Sequence, residues 1–84
     1  MNNKVLIKLI VPDIDETYEL FIPVNEIVWK IKKLVLKAIE ELCDSNVNLQ
    51  KDYTLMNINT SKIYTDNEII RDTDIRNATE LIIF

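Results

Sequence analysis

Residues 25–42, NEIVWKIKKLVLKAIEEL, decide the fold. Ile27, Ile31, Leu34, Val35, Ala38 and Leu42 fall on one stripe at about 100° per residue, with Val28 and Ile39 along one margin. The pattern predicts a single amphipathic helix with that stripe on a core. Asn25 is the expected N-cap, its side-chain oxygen accepting from a first-turn N–H, and Glu26 suits the positive end of the dipole. Asp44-Ser45-Asn46 is expected to end the helix. In a chain without glycine, Asn46 is the residue expected to turn left-handed there. Glu40 and Glu41 run against the dipole and are partly offset by a Lys37–Glu41 pair.

Before the helix the period is two. Lys4–Val11 (KVLIKLIV) puts Val5, Ile7, Leu9 and Val11 on one face and Leu6, Lys8 and Ile10 on the other. Residues 12–16 (PDIDE) read as a turn. Thr17–Pro23 (TYELFIP) alternates again, so the two runs form a hairpin. After the helix, Tyr53–Ile58 reads as a third strand, Asn59-Thr60-Ser61 as a turn and Lys62–Tyr64 as a short fourth strand. Residues 65–77 read as an ordered loop with a helical turn, pinned to the core by Ile70 and Ile75. Glu80–Phe84 (ELIIF) is the closing strand.

Eighty-four residues make one domain, residues 1–84, and a chain of this size buries only about 60–65% of its unfolded surface. With 48% apolar and 29% charged residues it has a globular composition. Apolar runs are broken by Lys8 and by the lysines after Trp29, so no stretch nears the roughly 18–20 residues that span a bilayer; neither membrane insertion nor a secretory leader is expected. One cysteine, Cys43, cannot form an internal disulfide, which fits a reducing compartment and a cytoplasmic protein. A net charge of -4 opposes nucleic-acid binding, which needs a basic face.

Two strands, a helix, two short strands, a looped connection and a last strand is the element order of the ubiquitin-like β-grasp. The expected class is α+β, with a mixed sheet of about five strands and one main helix on one face. Thr17-Tyr18-Glu19-Leu20-Phe21-Ile22-Pro23 resembles the second ubiquitin strand and its turn. Glu68–Ile75 followed by Thr79–Ile83 resembles ubiquitin's late loop and closing strand. Among ubiquitin-like families the chain is most similar in size and ending to the YukD/EsaB-like group, which lacks a terminal glycine pair and whose genes accompany type VII (WXG-substrate) secretion systems of low-GC Gram-positive bacteria. The resemblance implies central, parallel first and last strands. It further implies a noncovalent adaptor or accessory component of such a system, with protein partners among secretion-system membrane components. The alternative is a non-catalytic accessory subunit of a multicomponent enzyme, a role other β-grasp proteins fill.

Ubiquitin and the sulfur carriers act through a C-terminal Gly-Gly that passes a narrow activating channel. Here the sequence ends on bulky Phe84, so conjugation and sulfur transfer are not expected; a modifier whose tail follows Phe84 is the third reading. With no histidine and one cysteine, the usual nucleophile–base pairs and His/Cys metal sites are missing. Asp72 and Asp74 lack the ligand spacing and central glycine of a calcium loop and are expected to cap a helical turn by bonding backbone N–H groups. No catalytic residue, metal or cofactor is expected.

Two faces qualify for binding. On the helix, Trp29, Leu36 and Cys43 recur every seven residues opposite the predicted core stripe, so a partner helix could dock there with Trp29 as anchor. The other reading folds Trp29 over a loop and leaves Leu36 as a tolerated exposed residue. On the sheet, Leu6, Ile10, Ile82 and Phe84 point away from the helix, with Phe21 beside them and Lys8 in their midst, an apolar patch of the kind that marks interaction surfaces. By the resemblance it corresponds to the face through which ubiquitin is recognised. A homodimer contact, or a one-residue slip of the alternation, would explain it otherwise. Lys30, Lys33 and Lys37 make a basic stripe along one flank of the helix, either a solvated face or a means of steering an acidic partner or grazing anionic lipid.

Overall fold

The computed structural model describes residues 3–43 and 52–84. Its elements are β1 (Lys4–Val11), β2 (Glu16–Pro23), α1 (Val28–Cys43), β3 (Leu55–Asn57), β4 (Ile63–Tyr64) and β5 (Glu80–Ile83), with single 3₁₀ turns at Pro12–Ile14 and Ile70–Asp72. The described strands form one sheet in the order β2-β1-β5-β3-β4. β1 and β5 are parallel neighbours, and the remaining pairings are antiparallel. The expected α+β ubiquitin-like β-grasp is therefore present. The expected turn after α1, at residues 44–46, lies outside the described residues.

Alternation positions the core. Ile7, Leu9 and Val11 of β1, Ile22 of β2, Leu55 of β3, Tyr64 of β4, and Leu81 and Ile83 of β5 are all buried on the face that α1 covers. β3 and β4 are shorter than expected. Beyond β3, Thr54 still exchanges two backbone hydrogen bonds with Phe84, at 2.6 and 3.0 Å.

The helix is turned relative to its expected orientation. Val28, Ile31, Val35, Leu36 and Ile39 are buried, whereas Leu34 is 53% exposed and Leu42 is exposed too. Apolar residues cover roughly 200° of this helix at about 100° per residue. Periodicity therefore limits the buried face to that arc without choosing its centre, and packing into the core shared with the sheet chooses it. Leu36, expected in solvent as a partner contact, is 5% exposed and belongs to the core. The seven-residue seam from Trp29 is broken at that point.

The N-terminus of α1 is also capped differently. The Ile27 carbonyl accepts from the Lys30 and Ile31 amides, which puts Ile27 at the cap, and Asn25 lies two residues upstream of it. The first-turn amides are satisfied by the distant loop: Val28 N donates to the Glu68 carbonyl at 2.8 Å and Trp29 N to the Asp66 carbonyl at 3.2 Å. The Asn25 side chain instead accepts from the Arg71 guanidinium at 3.3 Å. The same loop is held by Ile70 N to the Glu26 carbonyl and Arg71 N to the Val24 carbonyl. As expected, it carries a helical turn and is anchored by buried Ile70 and Ile75.

Within that turn the capping role falls to Thr73, not to Asp72 or Asp74. Thr73 Oγ1 donates to the Ile70 carbonyl at 2.6 Å and accepts from Ile75 N at 3.2 Å. Asp72 lies beside Arg71 at 4.0 Å. Asp74 accepts from the buried Tyr64 hydroxyl. Burial, and then this hydrogen bond to Asp74, push the Tyr64 phenol from 10.0 up to about 12. A folded-state value above the unfolded one means that the folded chain holds this proton more tightly. The associated stability is complete below pH 10 and is lost as the pH rises toward 12. Denaturation midpoints of the wild type and Tyr64→Phe should therefore keep a constant gap below pH 10, and above it the wild type should lose stability relative to the variant.

Among the described residues of this glycine-free chain, Asp15 (φ 53), Ser61 (φ 60) and Ala78 (φ 72) take left-handed backbone. Aspartate and serine are common turn residues, but alanine gains nothing there to offset its Cβ clash. The position is held because Ala78 N donates to the Leu6 carbonyl at 2.8 Å, beside the start of β5. Relief of the clash outweighs the extra freedom that glycine adds to the unfolded chain. Ala78→Gly should thus stabilise the fold by about 0.5–1 kcal/mol, measurable by urea denaturation.

Candidate functional site

The sheet face away from α1 carries a group of accessible apolar side chains. Strand register builds it. Ile10 pairs with Ile82, Ile82 with Met56, and Met56 with Ile63, so one transverse row of four apolar residues crosses β1, β5, β3 and β4. Ile63 is exposed and the other three are half-buried. Phe84, exposed as expected, stands beside the row opposite Thr54. The side chains alternating with these, Leu9, Leu55, Leu81 and Ile83, are in the core.

The expected patch is split. Lys8 pairs with Glu19 on one side and Glu80 on the other, and its ammonium lies 3.8 Å from the Glu80 carboxylate. This charged row separates Ile10 and Ile82 from Leu6 and Phe21, which pair with each other further along the hairpin. Leu6 is half-buried, and Phe21 is 62% exposed. The patch thus gains Met56 and Ile63 and loses continuity with Leu6 and Phe21. The gain was legible: in residues 55–57 and 63–64, Leu55, Asn57 and Tyr64 face inward while Met56 and Ile63 face outward.

Trp29 is 45% exposed on α1, with the Lys33 ammonium 5.0 Å from its ring centroid. It stands without Leu36 beside it in solvent, so the helix back offers a single aromatic and not a seam. Of the lysines there, Lys30 pairs with Glu26 at 3.7 Å and Lys33 covers Trp29. Lys32 has a different role that charge patterning does not reveal. Its side chain is only 12% exposed, and its ammonium donates to the Tyr53 carbonyl and meets the Asp66 carboxylate, each at 2.7 Å. It clamps α1 between the approach to β3 and the loop that caps the helix. The Tyr53 hydroxyl in turn donates to Asp13 at 2.7 Å.

Among the described residues no group of three or more histidine, cysteine, aspartate or glutamate side chains is placed to hold a metal ion. No described helix is long and apolar enough to cross a membrane. The chemistry on offer at the outer face is apolar contact around a charged row, which suits recognition of another protein surface.

No family model matches the chain, and no curated protein matches it. Solved structures do. A chain of the MycP5-free ESX-5 inner membrane complex is 12% identical with a TM-score of 0.78, over 99% of this chain and 21% of that one. This chain thus spans a small part of the length of that match. The ubiquitin-like domain of an Arabidopsis thaliana protein is 13% identical with a TM-score of 0.65, over 99% of this chain and 78% of that one. A chain of the toluene 4-monooxygenase HD complex is 6% identical with a TM-score of 0.69, over 95% of both. At these identities the likeness is one of fold, and the fold common to the sheet order, the single covering helix and the ubiquitin-like neighbours is the ubiquitin-like β-grasp.

Proposed function

We propose that this domain is a noncovalent adaptor or accessory component of a bacterial type VII secretion system, acting in the cytoplasm through its outer sheet face. The observation that carries the reading is the apolar row Ile10–Ile82–Met56–Ile63, whose side chains stay accessible while those alternating with them are buried in the core. The YukD/EsaB-like resemblance names the system. The fold likeness to a chain of the ESX-5 inner membrane complex supports it, since this class of machinery then contains a domain of the same shape. Membrane components of the apparatus are the proposed partners, and Trp29 is a secondary contact.

The test is photo-crosslinking in the native host from a benzophenone amino acid at position 63, with position 21 as the control beyond the charged row. Adducts with secretion-system components at position 63 and not at position 21 are the expected result. Adducts with oxygenase or hydroxylase subunits would instead establish the second reading, an accessory subunit of a multicomponent enzyme. That reading draws on the near end-to-end match with a chain of the toluene 4-monooxygenase complex. Absence of any adduct at position 63 in cells expressing either machinery would refute the proposed surface.

A further inference from the structure

Residues 28–39 carry four of the chain's ten basic residues, Lys30, Lys32, Lys33 and Lys37, and none of its fourteen acidic ones. Within α1 the carboxylates come last, at Glu40 and Glu41, and no acidic residue occupies the first turn. Cations near the start of a helix and anions near its end both oppose the dipole. Helix stability therefore does not explain the arrangement. Packing explains only Lys32, which the clamp on Tyr53 and Asp66 holds; Lys30, Lys33 and Lys37 are exposed.

Helical geometry sets these three lysines in one line on the outward side of α1, with axial steps of about 4.5 and 6 Å. Trp29 flanks the line on one side and Leu34 on the other, both exposed. The contacts already made there yield easily. Lys30 and Glu26 form an exposed pair four residues apart at 3.7 Å, and the Lys33 ammonium can meet a carboxylate while it stays over the Trp29 ring. We propose that this face docks an acidic helical segment of another protein, its carboxylates about one turn apart on Lys30, Lys33 and Lys37 and its aliphatic side chains against Trp29 and Leu34. The face lies on the side of α1 away from the core, and the apolar row lies beyond the core on the outer side of the sheet. The inference therefore does not depend on the function proposed above.

Charge and spacing select this occupant. A helix carries carboxylates at i, i+3 and i+7 with the same two axial steps, whereas alternate residues of an extended segment recur about every 6.7 Å. An anionic membrane or a nucleic acid presents a continuous negative surface. It would meet Glu26 at one end of the line and Glu40 and Glu41 at the other, each about a turn from a lysine and inside the Debye length of about 8 Å. A narrow helix avoids those carboxylates. A second copy laid antiparallel would bring Glu40 and Glu41 to Lys30 and Lys33, but it would also set Lys37 close to its own equivalent near the two-fold axis, between copies that each carry a net charge of -4.

Trp29 is the only tryptophan of the chain, so its emission reports directly on this face. The probe is the acetylated, amidated peptide Ala-Glu-Ala-Ala-Glu-Leu-Ala-Leu-Glu-Ala-Ala-Glu-Leu-Ala, titrated into the full chain at low salt. A saturable blue shift of the emission is the expected result. The triple variant Lys30→Gln, Lys33→Gln, Lys37→Gln should bind about tenfold more weakly, and its melting temperature should not fall, because the charges removed oppose the dipole. Lys62→Gln, an exposed cation elsewhere on the surface, should bind as the wild type does. A peptide with glutamine in place of each glutamate should also bind about tenfold more weakly, which tests the charge contribution on the unaltered chain. No shift with the acidic peptide, equal binding of the glutamine peptide, or equal binding by the triple variant would overturn the proposal. So would a blue shift on vesicles containing about 30% phosphatidylserine, which would make the face a lipid contact, or a dimer in sedimentation that the triple variant abolishes, which would make a second copy the occupant.

Discussion

Leu36→Ala lowers the unfolding free energy by about 2.5–4 kcal/mol, while Leu34→Ala, two residues away, changes it by less than about 1 kcal/mol. Leu36 is 5% exposed and packed in the core, so truncation leaves a cavity; Leu34 is 53% exposed and borders only an open hollow beside Leu20 and Ile22 of β2. A domain of this length has a total stability of roughly 4–12 kcal/mol. The first substitution therefore removes a large share of it, and Leu36→Asp should leave the chain unfolded at 25 °C. Chemical denaturation of the alanine pair measures the difference directly. Equal losses, or a larger loss at Leu34, would mean that α1 presents the stripe read from periodicity and not the face described above.

Ile82→Thr should abolish capture of the physiological partner, with at least a tenfold loss of affinity, while the melting temperature falls only modestly. Ile82 stands in the middle of the outer row, flanked by Ile10 and Met56, where interface energy concentrates. Threonine keeps the β-branched shape that the strand needs and replaces the ethyl arm by a hydroxyl. Phe21→Thr, beyond the Lys8–Glu80 row, should leave that affinity unchanged although Phe21 is the more exposed residue. Affinity measured by calorimetry against the crosslinked partner checks both. Equal losses at the two positions would rejoin the halves of the patch, and no loss at Ile82 would remove the outer face as the binding surface.

Strands β1 and β2 were legible because alternation over eight residues has a single solution: a slip by one would expose Ile7, Leu9 and Val11 together. The pinning of the late loop by Ile70 and Ile75 was legible for a similar reason, since isolated apolar residues in a polar run have few other uses. Leu6, Ile10, Ile82 and Phe84 were placed on the correct side by the same alternation. The separation of Leu6 from Ile82 was not legible, because it depends on which residue of β5 stands beside Lys8. The clamp made by Lys32 was equally hidden. Nothing local distinguishes it from Lys30 or Lys33, and its partners Tyr53 and Asp66 lie 21 and 34 positions further along the chain.

Local pattern alone, then, determined the order of elements, the inward and outward faces of the strands, and with them the α+β class, since period-two and helical repeats impose burial through backbone geometry. Tertiary structure decided the rotation of α1, the capping of its first turn by the Asp66 and Glu68 carbonyls, and the composition of the outer row. Each of these depends on contacts between segments distant in the chain. A helix with apolar residues over more than half its circumference is stable in several orientations, and only the shape of the sheet beneath it selects one.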